Sequence, residues 1–217
     1  MVPQPGLSTG RVVDAATAVA DCGGLTAVSM RSVGKELGVE AMSLYHHVAG
    51  KDALLDALAE SVFAQVELPG AGEPWRTAMT RRARSARSVL GAHPWAVGLI
   101  ESRPVPGPSL LRHHDAVVAC LVGNGFPMRL AAHAFSVLDA YVYGFVVTEQ
   151  NLPFEEVGGE AEYAAGLSVE VAEYPHLVGM LGHLLGEPGY RFGDEFEYGL
   201  EIVLDGLQAR LAAEVGR

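Results

Sequence analysis

Only two cysteines, Cys22 and Cys120, occur in the 217 residues. They lie far apart without metal-ligand spacing, and a structural zinc site needs about four ligands, so a zinc module is excluded. Both thiols are expected to be small buried hydrophobes in a reducing cytoplasm. Cations are also scarce: 15 Lys and Arg face 26 Asp and Glu, for a net charge of −11. That balance argues against a general nucleic-acid coat. No secretory leader is expected, because residues 1–9 lack a basic start and an apolar run. The most apolar long stretch, residues 131–147, contains His133 and Asp139, falls short of a membrane span and reads as a buried helix. GxSxG, a P-loop, HExxH and a GxGxxG after a strand are all missing. The adjacent pairs His46-His47 and His113-His114 point about 100° apart on a helix and make poor joint ligands. Neither an enzyme, a metal site nor a cofactor is expected. There is no internal repeat, no low-complexity tract and no strand pattern.

What is present is apolar and helical. Nearly half the residues are hydrophobic (49%) and 26 are glycine. A chain of this length and composition folds, as one large domain or two small ones, and buries a core without staples. The expected fold class is all-α. The first helix is expected over residues 8–22, capped by Ser8, with Val12, Val13, Ala16, Val19 and Ala20 inward. Gly23-Gly24 is expected to stop it, and Leu25 and Val28 to pack under the next helix.

Residues 29–51 then carry the densest signal. Ser29 is an N-cap residue. Met30, Val33, Gly34 and Leu37 follow at helical spacing. Gly38 sits where a left-handed cap is wanted. A second short helix, about residues 40–47, buries Leu44 and leaves Met42, Ser43, Tyr45, His46 and His47 mostly exposed. A bracing helix, a glycine turn and a helix with a groove-ready outer face make a helix-turn-helix. The same pattern occurs in helical proteins that never touch DNA. Residues 1–51 carry four cations (Arg11, Arg31, Lys35, Lys51) and four acids (Asp14, Asp21, Glu36, Glu40), so a neutral head precedes an acidic body. That asymmetry would orient the head toward DNA.

The run from Leu44 through Tyr45, His46, His47 and Val48 to Lys51 resembles the signature of the TetR family of bacterial transcriptional repressors. The likeness covers about residues 8–63. It includes Arg11, Ala15, Ala16, the Gly24-Leu25-Thr26 step, Ser29, Arg31 and the Gly-Lys-Glu-Leu-Gly-Val run. It implies a three-helix DNA-binding head over residues 1–66, joined by a connecting helix (about 51–66) to an effector-binding and dimerisation body over residues 73–217. It also implies DNA contacts by Ser29, Arg31, Met42, Ser43, Tyr45, His46 and Lys51. Arg31 falls where the family often places a base-reading arginine, and a bidentate guanine contact is worth roughly 1–3 kcal/mol; the rival role is a solvated Arg. Met42 meets a thymine methyl or is simply exposed. Tyr45 and His46 reach phosphates or sugars. His47 is a helix-end packing residue. Lys51 grips phosphate by resemblance and would alone be a solvated Lys. Arg11 is a further phosphate candidate.

The body reads as further helices. One runs over about residues 73–92, with Met79, Ala83, Ala86, Val89 and Leu90 inward and Arg76, Arg81, Arg82, Arg84 and Arg87 on a solvated face paired with acids. A short helix spans 95–100, and another 110–122 with Leu111, Val117, Val118 and Leu121 inward. A long helix spans 127–150, two more lie near 160–173 and 175–185, and the last runs over 194–214. Residues 154–159 read as an acidic, Gly-rich, mobile segment, and 186–189 as a turn. The two long amphipathic helices suit a four-helix bundle between twofold mates, hence a homodimer. The turn at residues 101–104 and the stretch 143–150 resemble the tetracycline-repressor type of C-terminal domain. Tetracycline repressors place a magnesium-binding His where Leu99 stands here, so a magnesium–tetracycline effector is not expected. Trp95, Leu99, His114, Phe135, Leu138, Tyr141 and Phe145 are expected to line a largely apolar pocket for a hydrophobic or aromatic effector. The whole reads as a cytoplasmic, ligand-responsive repressor of a palindromic double-stranded operator, with no membrane partner. The other reading is a helical small-molecule-binding or interaction module without DNA binding.

Overall fold

The computed structural model describes residues 6–70, 72–153, 159, 166, 173–186 and 190–215, which are helical and contain no strand. Helix α1 (Thr9–Ala27) starts at Ser8, whose hydroxyl accepts the Arg11 N–H. Its chain leaves helical geometry at Gly24 (φ 69°, ψ 178°), the expected stop, and then turns helically once more to Ala27. Val12, Val13, Ala15, Ala16 and Ala20 are buried. Cys22 is exposed, contrary to expectation: it lies with Asp21 and Gly23 on the open side, past the last buried position of the stripe.

Helix α2 (Met30–Leu37) is held by a reciprocal cap. Ser29 Oγ accepts from the Ser32 N–H, and the Ser29 N–H donates to Ser32 Oγ. Gly38 ends it in the left-handed region (φ 68°, ψ 30°), a conformation that glycine adopts without a Cβ clash. Helix α3 (Ala41–Leu44) is a single turn, continued by turns through His47. Gly34 makes the junction possible: a Cβ there would lie 2.9 Å from the Val39 carbonyl oxygen. Helix α1 packs on α2 and α4 (Lys51–Phe63), and α2 packs on α3. Val12, Val33, Leu44, Leu54 and Leu58 close the core of these helices. Burying each leucine contributes roughly 2 kcal/mol.

Helix α4 also packs on α6 (Ala96–Ser102) and α7 (Pro108–Gly123), and α7 packs on α5 (Trp75–Ala92). Asn124, just past α7, supplies the cap that Pro74 lacks: its Oδ1 accepts the Trp75 N–H and its Nδ2 donates to the Glu73 carbonyl. The arginines of α5 do not share one environment. Arg81 pairs with Glu67 and Glu73, as a solvated residue should. Arg82 does not: it is 2% exposed, pairs with Asp139 and donates from Nε to His113 Nε2 at 2.6 Å. Arg82 follows the buried Met79 by three residues and so shares its inward face. The register of α7 also differs from expectation. The helix begins at Pro108, and His113, Val117 and Leu121 face inward at four-residue spacing while Leu111 is exposed.

Helix α8 (Met128–Gln150) buries Ala131, Ala134, Leu138 and Val142. Its 23 residues are long and apolar enough to cross a membrane, which the shorter stretch in the sequence was not. The Asp139–Arg82 pair identifies it instead as a core helix of a folded bundle. The chain divides into two compact units, Met1–Tyr143 and Gly144–Arg217. The second unit holds the end of α8, α9 (Pro175–Gly186), a 3-10 turn (Phe192–Asp194) and α10 (Glu195–Val215). Phe196, Leu200, Leu204, Leu207 and Leu211 form the buried stripe of α10, as the spacing predicts. The helix expected near residues 160–173, the acidic segment 154–159 and most of the turn 186–189 lie outside the described residues.

Two outcomes follow from the buried pair. Asp139→Ala leaves an uncompensated guanidinium in the core, and urea unfolding should show a loss of about 3–5 kcal/mol. Burial, with Arg82 and His114 adding to it, lowers the His113 pKa from 6.5 to about 3. The unfolded chain therefore takes up a proton below about pH 6.5 that the folded chain refuses until about pH 3. Stability is full above that window and falls as pH drops through it, by at most about 1.4 kcal/mol per pH unit from this group. Denaturation at pH 7 and pH 5 should show a smaller drop for His113→Gln than for the parent chain.

Candidate functional site

The helix-turn-helix leaves most of the expected contact side chains open. Arg31, Met42, Tyr45, His46 and Lys51 are exposed, and Ser43 is half-buried. Met42 is 74% exposed, so its thioether is open to a partner. Leu44 beneath it is fully buried and fixes the rotation of the turn, so its neighbours must point out. Among the described residues, neither Arg31 nor Lys51 forms an ion pair, so both charges remain available to an anion. Lys51 stands at the first position of α4. Ser29 differs from the rest: its hydroxyl is engaged with Ser32 and serves the α2 cap. His47 is half-buried, and its carbonyl accepts from Thr9 Oγ1 at 3.3 Å, which matches a packing role. Arg11 Nη1 donates to the Gly6 carbonyl at 3.3 Å.

The expected pocket residues fall in several places. His114 lies edge-on to Phe135 (centroids 4.6 Å apart) and to Phe63 (6.4 Å). Burial lowers its pKa against the opposing pull of Asp139. Leu99 and Leu138 are buried, and Tyr141 is half-buried. Trp95 is turned toward α1: its indole N–H donates to Asp21 Oδ1 at 2.7 Å, and His93 Nδ1 meets the same oxygen at 2.8 Å. Phe145 belongs to the second unit, where it stacks on Phe192 and meets Phe196 edge-on. Near the first group stands Tyr143, whose phenol burial pushes upward in pKa.

A cavity of about 360 Å³ opens between α4, the end of α6 and the loop into α7. It is lined by Asp56, Ala57, Ala59, Glu60, Phe63, Ile100, Arg103, Val105, Pro106, Gly107, Pro108 and Leu110. None of the seven expected pocket residues is among them. A broader groove of about 760 Å³ runs along the hydroxyls and arginines of α5, between Arg76 and Val89. Sequence reasoning missed the Arg82–His113–Asp139 cluster. The four-residue spacing of His113, Val117 and Leu121 was the available signal for it. No group of three or more potential metal ligands occurs among the described residues.

Comparison with known proteins agrees with this geometry. Residues 12–58 match the family of bacterial regulatory proteins, tetR family, and residues 68–211 match the tetracyclin repressor-like C-terminal domain. The HTH-type transcriptional repressor DrrR1 of Streptomyces coeruleorubidus is 34% identical over 229 residues, covering 99% of this chain and 82% of that protein. Apo ActR from Streptomyces coelicolor superimposes with a TM-score of 0.77 at 28% identity, over 97% of this chain and 99% of that one. ActR in complex with actinorhodin gives 0.76 at 28% identity, over 95% and 99%. The two family matches, which together span residues 12–58 and 68–211, and a relative 34% identical over nearly the whole chain mean that this chain belongs to the TetR family of bacterial transcriptional regulators, DNA-binding repressors that respond to ligands.

Proposed function

We propose that the chain represses transcription from the cytoplasm by binding a palindromic operator as a homodimer, and that a largely apolar small molecule releases it. The observation that carries this is the helix-turn-helix face: Arg31, Met42, Tyr45, His46 and Lys51 are all exposed around a buried Leu44, with Arg31 and Lys51 unpaired among the described residues. Arg31 reads a base edge, Met42 and Ser43 approach the groove floor, and Tyr45, His46 and Lys51 hold the backbone. Ser29 contributes by capping α2. Residues 1–66 act as the head and 73–217 as the effector-binding and dimerisation body, a division that the spans of the two matched domains support.

Twofold pairing is supported by apolar side chains left open in the second unit, Val147, Tyr198 and Ile202, the last two one turn apart on α10. Two heads about 34–36 Å apart meet successive major grooves. The effector acts by preferring the form with the wrong spacing, and shifts the equilibrium only by its differential affinity. His114, Phe135, Leu99, Leu138 and Tyr141 are the apolar and aromatic groups proposed to meet it, with Trp95 at the margin. That ActR was crystallised in complex with actinorhodin supports a ligand-responsive body.

Selection of the purified protein against random duplex DNA, read by sequencing, should return a palindrome with half-sites about one turn apart. No enriched site from a folded dimer would favour a helical module without DNA binding. With the selected site, Arg31→Ala should relax sequence preference, whereas Lys51→Ala should weaken binding evenly across sequences. Equal losses on all sequences from both would refute that division of roles. With Arg11, Arg31 and Lys51 of both heads engaged, the plot of log K against log salt should have a slope of about −5 at most.

A further inference from the structure

We propose that Glu40 determines sequence specificity in the recognition turn: its carboxylate accepts from the exocyclic amino group of a cytosine in the major groove, so each operator half-site carries a C·G pair that Glu40 fixes. The inference rests on the DNA-binding reading above and adds a residue and a base to it. Glu40 directly precedes α3, and its backbone carbonyl accepts the Ser43 N–H at 2.9 Å. Its side chain serves no such local purpose. It makes no capping bond to the turn that follows, and the residue is exposed. Among the described residues the carboxylate has neither a hydrogen bond nor an ion pair, although Arg31, Lys35 and Lys51 are exposed on the same head. Glu36 and Asp52 are exposed too, but they stand on the bracing helix and in the first turn of α4.

In a helix-turn-helix the first residues of the second helix meet the base edges. A carboxylate carried into that groove is repelled by the phosphates and loses its hydration, so it lowers affinity for every sequence that offers it no donor. Residues 1–51 carry four cations against four acids, so the head has no surplus charge to offset that loss. The base follows from the groove code. Guanine presents two acceptors, N7 and O6; thymine presents O4 and a methyl; adenine sets the acceptor N7 beside its amino donor. Cytosine presents an amino donor with no acceptor beside it on the same base. An ionised carboxylate only accepts, so it favours cytosine and opposes guanine most. The neighbouring side chains do not duplicate this role. Ala41 and Met42 bring no charged acceptor, and the Ser43 hydroxyl both donates and accepts, so it tells the bases apart poorly.

The test is a set of parallel selections of the full chain, Glu40→Ala and Glu40→Gln against random duplex DNA. Each protein is then titrated with the parent site and with that site carrying each of the other base pairs at the C·G position. Glu40 is exposed and caps nothing, so both variants should fold, with the far-UV spectrum and melting curve as the control. The parent selection should hold one C·G pair per half-site, at which a change raises Kd about tenfold. Glu40→Ala should lose its preference at that pair and keep the rest of the half-site. Glu40→Gln should move the preference to A·T, because an amide pairs with adenine N6 and N7. Tighter binding of Glu40→Ala to every sequence alike, with an unchanged site, overturns the inference: the carboxylate then only repels phosphate. A palindrome in which no base pair responds to Glu40 overturns it while leaving the DNA-binding reading intact. No enriched site for the parent chain overturns that reading and the inference with it.

Discussion

Helix α4 is packed on two sides, and the rest of the structure depends on that. One face rests on α1 and supports the recognition turn; the other rests on α6 and α7. Leu54, Leu58 and Val62 are fully buried, so the helix cannot rotate without opening a cavity. Polar links reinforce the same junction. Asp56 pairs with Arg103, Glu60 caps the first turn of α7, and Asp21 of α1 accepts from Trp95 and His93. A change in the position of α6 or α7 is therefore felt by the helix that carries Lys51 at its first residue. This packing also explains why the compact unit runs to Tyr143 and does not end near residue 66.

Below this junction the body is organised around an ion pair that it cannot lose. Arg82 is buried against Asp139 and His113, and α5, α7 and α8 meet through these three side chains. A buried arginine is stable only with an anion beside it and its donors satisfied. Asp139 supplies the anion, and neutral His113 accepts from Nε. With Nε2 accepting, the proton of His113 sits on Nδ1, which is buried without an acceptor among the described residues, and the ring meets Phe63 edge-on (centroids 5.0 Å apart, planes at 88°). The geometry favours one protonation state of the cluster and one relative placement of three helices.

The head was legible in the sequence almost residue by residue. Ser29, Gly38, Leu44 and Lys51 each impose a local rule that needs no distant partner: a cap, a left-handed turn, a buried anchor, a helix start. The apolar stripes of α1, α4 and α10 were equally readable, because a period of 3.6 residues survives without knowledge of what it packs against. Where single residues went astray, the cause was position along a helix. Cys22 lay two residues beyond Ala20, the last buried position of α1. Leu111 lost its inward place because the buried stripe of α7 runs through His113, Val117 and Leu121, and Leu111 stands about 200° around the helix from His113.

By itself the sequence determined the all-α class, the three-helix head, the recognition turn and the family. The first three follow from caps, glycines and periodicity, which act over a few residues, and the family follows from the resemblance that residues 44–51 carry. Only the tertiary structure decided that Arg82 belongs to the core and Arg81 to the surface. One is the third residue after buried Met79 and finds Asp139 across the bundle; the other finds Glu67 and Glu73 at the rim. It likewise decided that Trp95 is tied to α1 and that a cavity opens beside Glu60 and Arg103. Charges separated by dozens of residues have no local signature. Whether an arginine is solvated or buried is settled by the partner that folding brings to it, and that partner is chosen by packing.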